Sequence, residues 1–129
     1  LMFGDTDERS PHEAFACFYA GSLHAVRDDR FKLVFPHKYR TLDGHPGGTG
    51  GLPIGYKMAT AKRALYDLQS DIGETRDVAA KYPEVVKRLE RSAIAFRNEL
   101  GDRLTKTKGT SIRPPGKMAD GDETLPLVW

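Results

Sequence analysis

Lys32, His37, Lys38, Arg40 and His45 cluster in or just before a stretch rich in glycine and proline. Cations grouped at the rim of a cleft raise the encounter rate of an anionic ligand and orient it. Arg40, His45, His37 and Lys38 are therefore the candidate ligand-binding residues. The plainer reading is a solvated basic loop that binds nothing, and on sequence alone it has the stronger claim. Other chemistry-bearing groups do not combine into a reacting set. No serine has the flanking residues of a nucleophile elbow. Asp28-Asp29 and Asp67, Asp71 and Glu74 lack the spacing of an EF-hand loop and read as turn and cap residues. His12, His24, His37 and His45 lack the two-ligand helical spacing of a zinc site. Gly44 to Gly51 lacks the Gly-Lys-Ser/Thr ending that a phosphate loop needs. Cys17, between Phe15 and Tyr19, reads as a small core residue on a strand. The sequence thus offers no catalytic residue, no metal ligand set and no cofactor site within this segment.

Short strands and one helix must position the basic cluster. Phe15, Cys17 and Tyr19 alternate with Ala14, Ala16 and Phe18, the period of a strand. Gly21-Ser22 offers a turn, and Leu23 to Arg27 a second strand. After the polar Asp28-Asp29-Arg30, the alternation of Phe31, Leu33 and Phe35 marks a third, half-buried strand. Pro36, which has no N–H for a ladder, stops it. Tight connections between three short strands imply an antiparallel meander, because parallel pairing needs long crossovers. Residues 36–62 read as one long loop, in which six glycines and two prolines from 44 to 55 oppose regular structure. Ala64 to Leu68 supplies a fourth strand, and Thr75 is placed to cap a short helix over Arg76 to Lys81.

The strongest helix signal runs from Pro83 to Leu100. Pro83 stands where its missing N–H costs nothing, and Gly101 follows as a left-handed stop. Val86, Leu89, Ala93, Phe96 and Leu100 recur at steps of three and four and form one apolar stripe. The expected fold is α+β, a small four-stranded antiparallel sheet packed against one long C-terminal helix. Residues 1–13 read as a linker, 14–102 as the folded unit, and 103–129 as an irregular tail of little order unless its terminal apolar residues dock.

The chain has 129 residues, enough for one domain that buries roughly two thirds of its unfolded surface. A net charge of +2 is too small to imply nucleic acid or a membrane surface. No apolar run approaches the ~18 residues of a membrane span. The single cysteine rules out an internal disulfide. The opening Leu1-Met2-Phe3-Gly4-Asp5 has neither the basic start nor the apolar core of a secretion signal, and points to a cut from something longer.

Two blocks carry a resemblance. Leu23 to Phe35 is similar to a hairpin in which an Ala-Val-Arg strand turns into an aromatic-Lys-apolar strand. Leu65 to Ala79, followed by Tyr82-Pro83-Glu84-Val85-Val86, is similar to a strand, acidic turn and helix start. Together, in this order and with the Gly-rich stretch between, they resemble the C-terminal subdomain of formylglycine-dependent sulfatases of the arylsulfatase or N-acetylgalactosamine-6-sulfatase type, across roughly residues 14–102. Ile72 stands where such sequences usually carry proline. The resemblance implies the alkaline-phosphatase-like sulfatase fold: a large α/β catalytic domain, then a smaller domain in which four antiparallel strands pack on a long helix. It implies hydrolysis of sulfate esters by a formylglycine matured within a Cys-x-Pro-Ser-x-Arg type motif, assisted by calcium. Cys17 is followed by Phe18-Tyr19-Ala20-Gly21 and lacks both the Pro and the Arg. Formylglycine and calcium are therefore expected in a preceding catalytic domain outside these residues.

On this reading the segment is structural and substrate-shaping, and its partners are that catalytic domain and a sulfated aryl or carbohydrate substrate. Family resemblance implies export to the periplasm, the lysosome or the exterior. Two readings of other classes compete: a stand-alone binding module for anionic glycans, and a small nucleic-acid binder using the basic residues of 27–40. Nucleic acid and membrane partners are not expected.

Overall fold

The computed structural model describes residues 12–114 and 116–117. In chain order the elements are β1 Phe15–Tyr19, β2 Ser22–Arg27, β3 Phe31–Val34, β4 His37–Thr41, β5 Lys57–Ala61, β6 Ala64–Asp67 and α1 Pro83–Leu100. Four strands form an antiparallel sheet in the order β1-β2-β3-β6, and β4 and β5 form a separate two-stranded ribbon. The protein is α+β, with its helix laid on one face of the larger sheet.

Local chemistry sets each turn. Ala20 and Gly21 join β1 to β2 at φ 49° and 77°, the paired left-handed conformation whose twist suits a tight hairpin. A Cβ on Gly21 would also stand 2.8 Å from the Arg103 side chain. Cys17 faces Ala25 while Phe18 faces Leu23, so His24 is an extra residue in β2. This bulge lets Leu23 and Val26, three positions apart, both join the core. Between β2 and β3, the Asp28 carboxylate accepts the N–H groups of Arg30 at 2.8 Å and Phe31 at 2.6 Å, and it also pairs with Arg88 of the helix.

The core unites Leu23, Val26, Phe31, Leu33, Phe35 and Leu65 with Val86, Leu89 and Ala93 of α1. Complete burial of a side chain such as Leu89 contributes about 1.5–3 kcal/mol. The helical stripe holds through Phe96, which is half-buried, but Leu100 is exposed. There Asp102 takes over the contact with the sheet by accepting the Leu23 N–H.

Four expectations change. Residues 36–62 are not one structureless loop: β4 and β5 pair in register from His37↔Ala61 to Thr41↔Lys57. Every glycine and proline of the stretch except Pro36 falls between 44 and 55, outside both strands. The short helix over Arg76 to Lys81 does not form. Asp71 instead accepts the N–H groups of Thr75 and Arg76, each at 2.8 Å, and the Thr75 hydroxyl. Asp77 draws the next turn back to the sheet by accepting the Leu65 and Ala79 N–H groups. Cys17 is half-buried on the sheet face away from the helix, because Ala14, Ala16 and Phe18 take the core side of β1.

The fourth change concerns the start of the tail, which is tied down. Thr110 and Ser111 donate their N–H groups to Asn98 and Glu99 carbonyls, both at 2.9 Å, satisfying acceptors that the end of a helix leaves unpaired. Arg103 donates its N–H to Gly21 O, and Asp102 and Thr107 exchange two backbone bonds. The anticipated docking of Leu125 to Trp129, and nearly all of the 1–13 linker, lie outside the described residues.

Candidate functional site

The face of the larger sheet opposite α1 carries small buried side chains, Ala25, Val34 and Ala64, beside the half-buried Cys17 and Tyr66. They floor a depression of about 660 Å³. On this face Lys32 donates to both carboxylate oxygens of Glu74, at 2.7 and 2.9 Å. β3 is an interior strand, so Lys32 sits mid-sheet rather than at an edge, and its partner is a glutamate. Arg27 instead donates Nε to the Asp28 carbonyl.

The acidic residues of the Leu65–Ala79 stretch serve architecture. Asp67 is buried and receives a two-pronged bond from Arg30, Nε to Oδ1 at 3.1 Å and Nη2 to Oδ2 at 2.8 Å. That bond is the main reason its pKa falls to about 2. The Arg76 N–H leads the groups that hold Asp71 below the ordinary carboxylate range, against a smaller opposing effect of burial. Among the described residues no three His, Cys, Asp or Glu side chains converge as a metal site.

The ribbon gathers the basic residues. It leaves the sheet at Pro36, which puts β4 beside the β1–β2 hairpin. His37 stacks on His24 with centroids 3.7 Å apart and planes at 17°. His37 Nδ1 lies 2.7 Å from the Phe35 carbonyl; a carbonyl only accepts, so this nitrogen carries the proton. Burial is the largest influence on His24 and lowers its pKa; the charge of His37 lowers it further, while Asp102 opposes both. Tyr19 packs against His24 at 5.7 Å and Tyr39 against His37 at 6.2 Å, so rings run in sequence from the hairpin to the ribbon. Beyond them the Arg40 guanidinium lies over the Tyr56 ring at 4.4 Å.

These side chains enclose a second groove, about 720 Å³, to which Lys38, Arg40 and Tyr39 contribute from β4 and Met58 from β5. Of the four sequence candidates, Lys38 and Arg40 line this groove, and His37 backs it through His24. His45 lies apart, in a turn closed by its own N–H to the Leu42 carbonyl, and is not among the groove's lining side chains. Sequence reasoning missed the tyrosines. The alternation of His37-Lys38-Tyr39-Arg40-Thr41 carries that signal, masked by the glycines and prolines that follow it.

The described residues thus form a sheet of four antiparallel strands backed by one long helix, with a two-stranded ribbon beside it. The family described as the C-terminal region of aryl-sulfatase matches residues 10–118, and the chain belongs to that family. No curated protein and no solved structure matches the chain.

Proposed function

We propose that this chain is the closing, non-catalytic part of a sulfuric ester hydrolase, packing on a catalytic domain that holds the formylglycine and calcium. The observation that carries this reading is the family match over residues 10–118. Two features support it further. The sheet face opposite α1 is a depression floored by Ala25, Val34 and Ala64 and edged by Tyr66 and the Lys32–Glu74 pair, a hollow that side chains of another layer can fill. The grouping of Lys38 and Arg40 in one groove supports a substrate-shaping role, with His37 and His45 as the remaining candidates.

The test is hydrolysis of 4-nitrophenyl sulfate by the intact protein, with and without a calcium chelator. Calcium-dependent release of 4-nitrophenol is expected. No release from the intact protein would overturn the reading, as would calcium-dependent turnover by the 129-residue chain alone. Substrate shaping is tested separately with the Arg40→Ala, His45→Ala double variant. An unchanged KM for a sulfated sugar would remove that role.

A further inference from the structure

We propose that the stacked His24–His37 pair is a pH-sensitive latch: acidification below neutrality frees the β4–β5 ribbon from the β1–β2 hairpin while the larger sheet and α1 stay folded. The inference goes beyond the sulfatase reading and does not depend on which ester the parent enzyme cleaves.

The attachment of the ribbon is narrow. Among the described residues no backbone hydrogen bond joins β4 or β5 to the larger sheet. The chain tethers β4 through Pro36 and β5 through Lys62-Arg63. Side chains supply the rest, and the rings of His24 and His37 meet with centroids 3.7 Å apart. Two separate hollows, of about 660 and 480 Å³, are each lined by both histidines, so the contact stands with open space beside it. An isolated two-stranded hairpin is marginal in water, so a ribbon that loses the stack also loses most of its own pairing. Lys38, Tyr39 and Arg40 then move with it.

Protons act against the stack. His37 Nδ1 already donates to the Phe35 carbonyl, which leaves Nε2 to take a further proton. Burial of His24 disfavours its charged form in the latched state, and two positive rings face to face repel. The surroundings offset little of this. Cys17, Tyr19 and Tyr39 bring no charge, while Lys38, Lys62 and, at the hairpin turn, Arg103 add positive charge. Arg63 is paired with Glu90, and Lys32 with Glu74. Asp77 accepts the Leu65 and Ala79 N–H groups. Asp102 favours protonation of His24, but it is already shared among Arg97 and two N–H groups.

The turns of the larger sheet respond in a different range. Asp67, Asp71 and Asp102 are held below the ordinary carboxylate value of 3.8, so their contribution is complete above that pH and is lost only below it. The latch is complete above 6.5, the unfolded value of His24, and is lost as pH falls through the lowered folded one. Between about pH 7 and about pH 5 the latch therefore weakens while these turns hold.

The experiment is hydrogen–deuterium exchange of the intact protein, read by mass spectrometry across that range and corrected for the intrinsic effect of pH on exchange. Uptake of one proton on opening shifts the equilibrium about tenfold per pH unit. Peptides covering β4 and β5 are expected to lose protection by about tenfold or more over the interval, and those covering β2 and β3 by less than about twofold. The His24→Phe, His37→Phe double variant keeps two stackable rings without a titrating nitrogen, and should hold ribbon protection constant. Each single variant should lose about half of the pH response, and the pair of them carries the test should the double variant not fold. Constant ribbon protection in the parent protein would overturn the proposal. Loss of protection shared equally by β2 and β3 would do the same, since that is general acid unfolding. An undiminished pH response in both single variants would also overturn it.

Discussion

Replacing Asp102 by alanine should unlatch the end of the helix from the sheet. The Asp102 side chain is fully out of solvent, and it holds three donors. Oδ1 accepts the Leu23 N–H at 3.1 Å and the Leu104 N–H at 3.0 Å, and Oδ2 accepts Arg97 Nε at 2.8 Å. Burial alone would raise its pKa; Arg97, with the Leu23 and Leu104 N–H groups, outweighs burial and holds it below the ordinary carboxylate range. Alanine leaves the buried Leu23 N–H without an acceptor, a cost of about 1–3 kcal/mol. It also strands the Arg97 guanidinium, half-buried over Phe35 at 4.5 Å, and removing one partner of such a pair costs about 3–5 kcal/mol. The two costs overlap, so the expected loss is about 3–5 kcal/mol in all, measured as a fall in the urea midpoint at constant slope. Asp102→Asn keeps an oxygen at Oδ1 for both backbone donors and loses only the charge toward Arg97. It should lose about half as much. An Asp102→Ala loss under about 1 kcal/mol would refute the view that this carboxylate joins helix, hairpin and tail, as would an Asn variant less stable than the Ala variant.

Three further outcomes are expected. Leu89→Ala, at the buried centre of the helical stripe, should cost about 2–5 kcal/mol by urea unfolding. Gly101 sits at φ 81° and ψ 167°, and a Cβ there would stand 2.9 Å from Gly109 N and 3.1 Å from Thr107 O. Gly101→Ala should therefore cost about 1–3 kcal/mol, with early loss of amide protection at Thr110 and Ser111. The folded pKa of His24 lies below its unfolded value of 6.5, so its contribution is complete above that pH and is lost as pH falls through the folded pKa. The melting midpoint should decline on acidification from neutrality; His24→Gln should flatten that slope, and His37→Gln should raise the His24 pKa followed by NMR.

The helix was legible almost to the residue, because Pro83, Gly101 and the apolar stripe agree at three independent levels. The four sheet strands were legible for the same reason, through alternation broken by turn residues. What failed was decided by partners distant in sequence. The face of β1 could not be told from its own pattern, since Phe15, Cys17 and Tyr19 are as apolar as Ala14, Ala16 and Phe18. The bulge at His24 and the pairing with β2 settle it. The ribbon was hidden because the eight glycines and prolines between its strands coloured the whole stretch, although β4 and β5 contain none. The expected helix near Arg76 lost to Asp71, which folds Thr75 and Arg76 into its own turn, and to Asp77, whose carboxylate claims the Ala79 N–H that a helix would have directed to the Thr75 carbonyl. Of the site, the cations were legible and the rings were not.

The fold divides its labour between two sheets, and that division bears on where function varies. Residues of the larger sheet are committed twice, to the helix on one face and to Asp67, Asp77 and Asp102 at its turns. A substitution there changes stability before anything else. The ribbon is committed once, by its five backbone pairs and the His24–His37 stack, and Lys38, Tyr39 and Arg40 are all exposed. Its side chains can change without loss of the core while the sheet and helix persist. The connecting loop from Leu42 to Tyr56 extends this freedom, since it displays Leu52 at 74% exposure and Ile54 and Tyr56 beside glycines that carry no core contact. Selectivity among sulfated ligands, on the proposed reading, belongs to the part of the chain whose structure the core does not need.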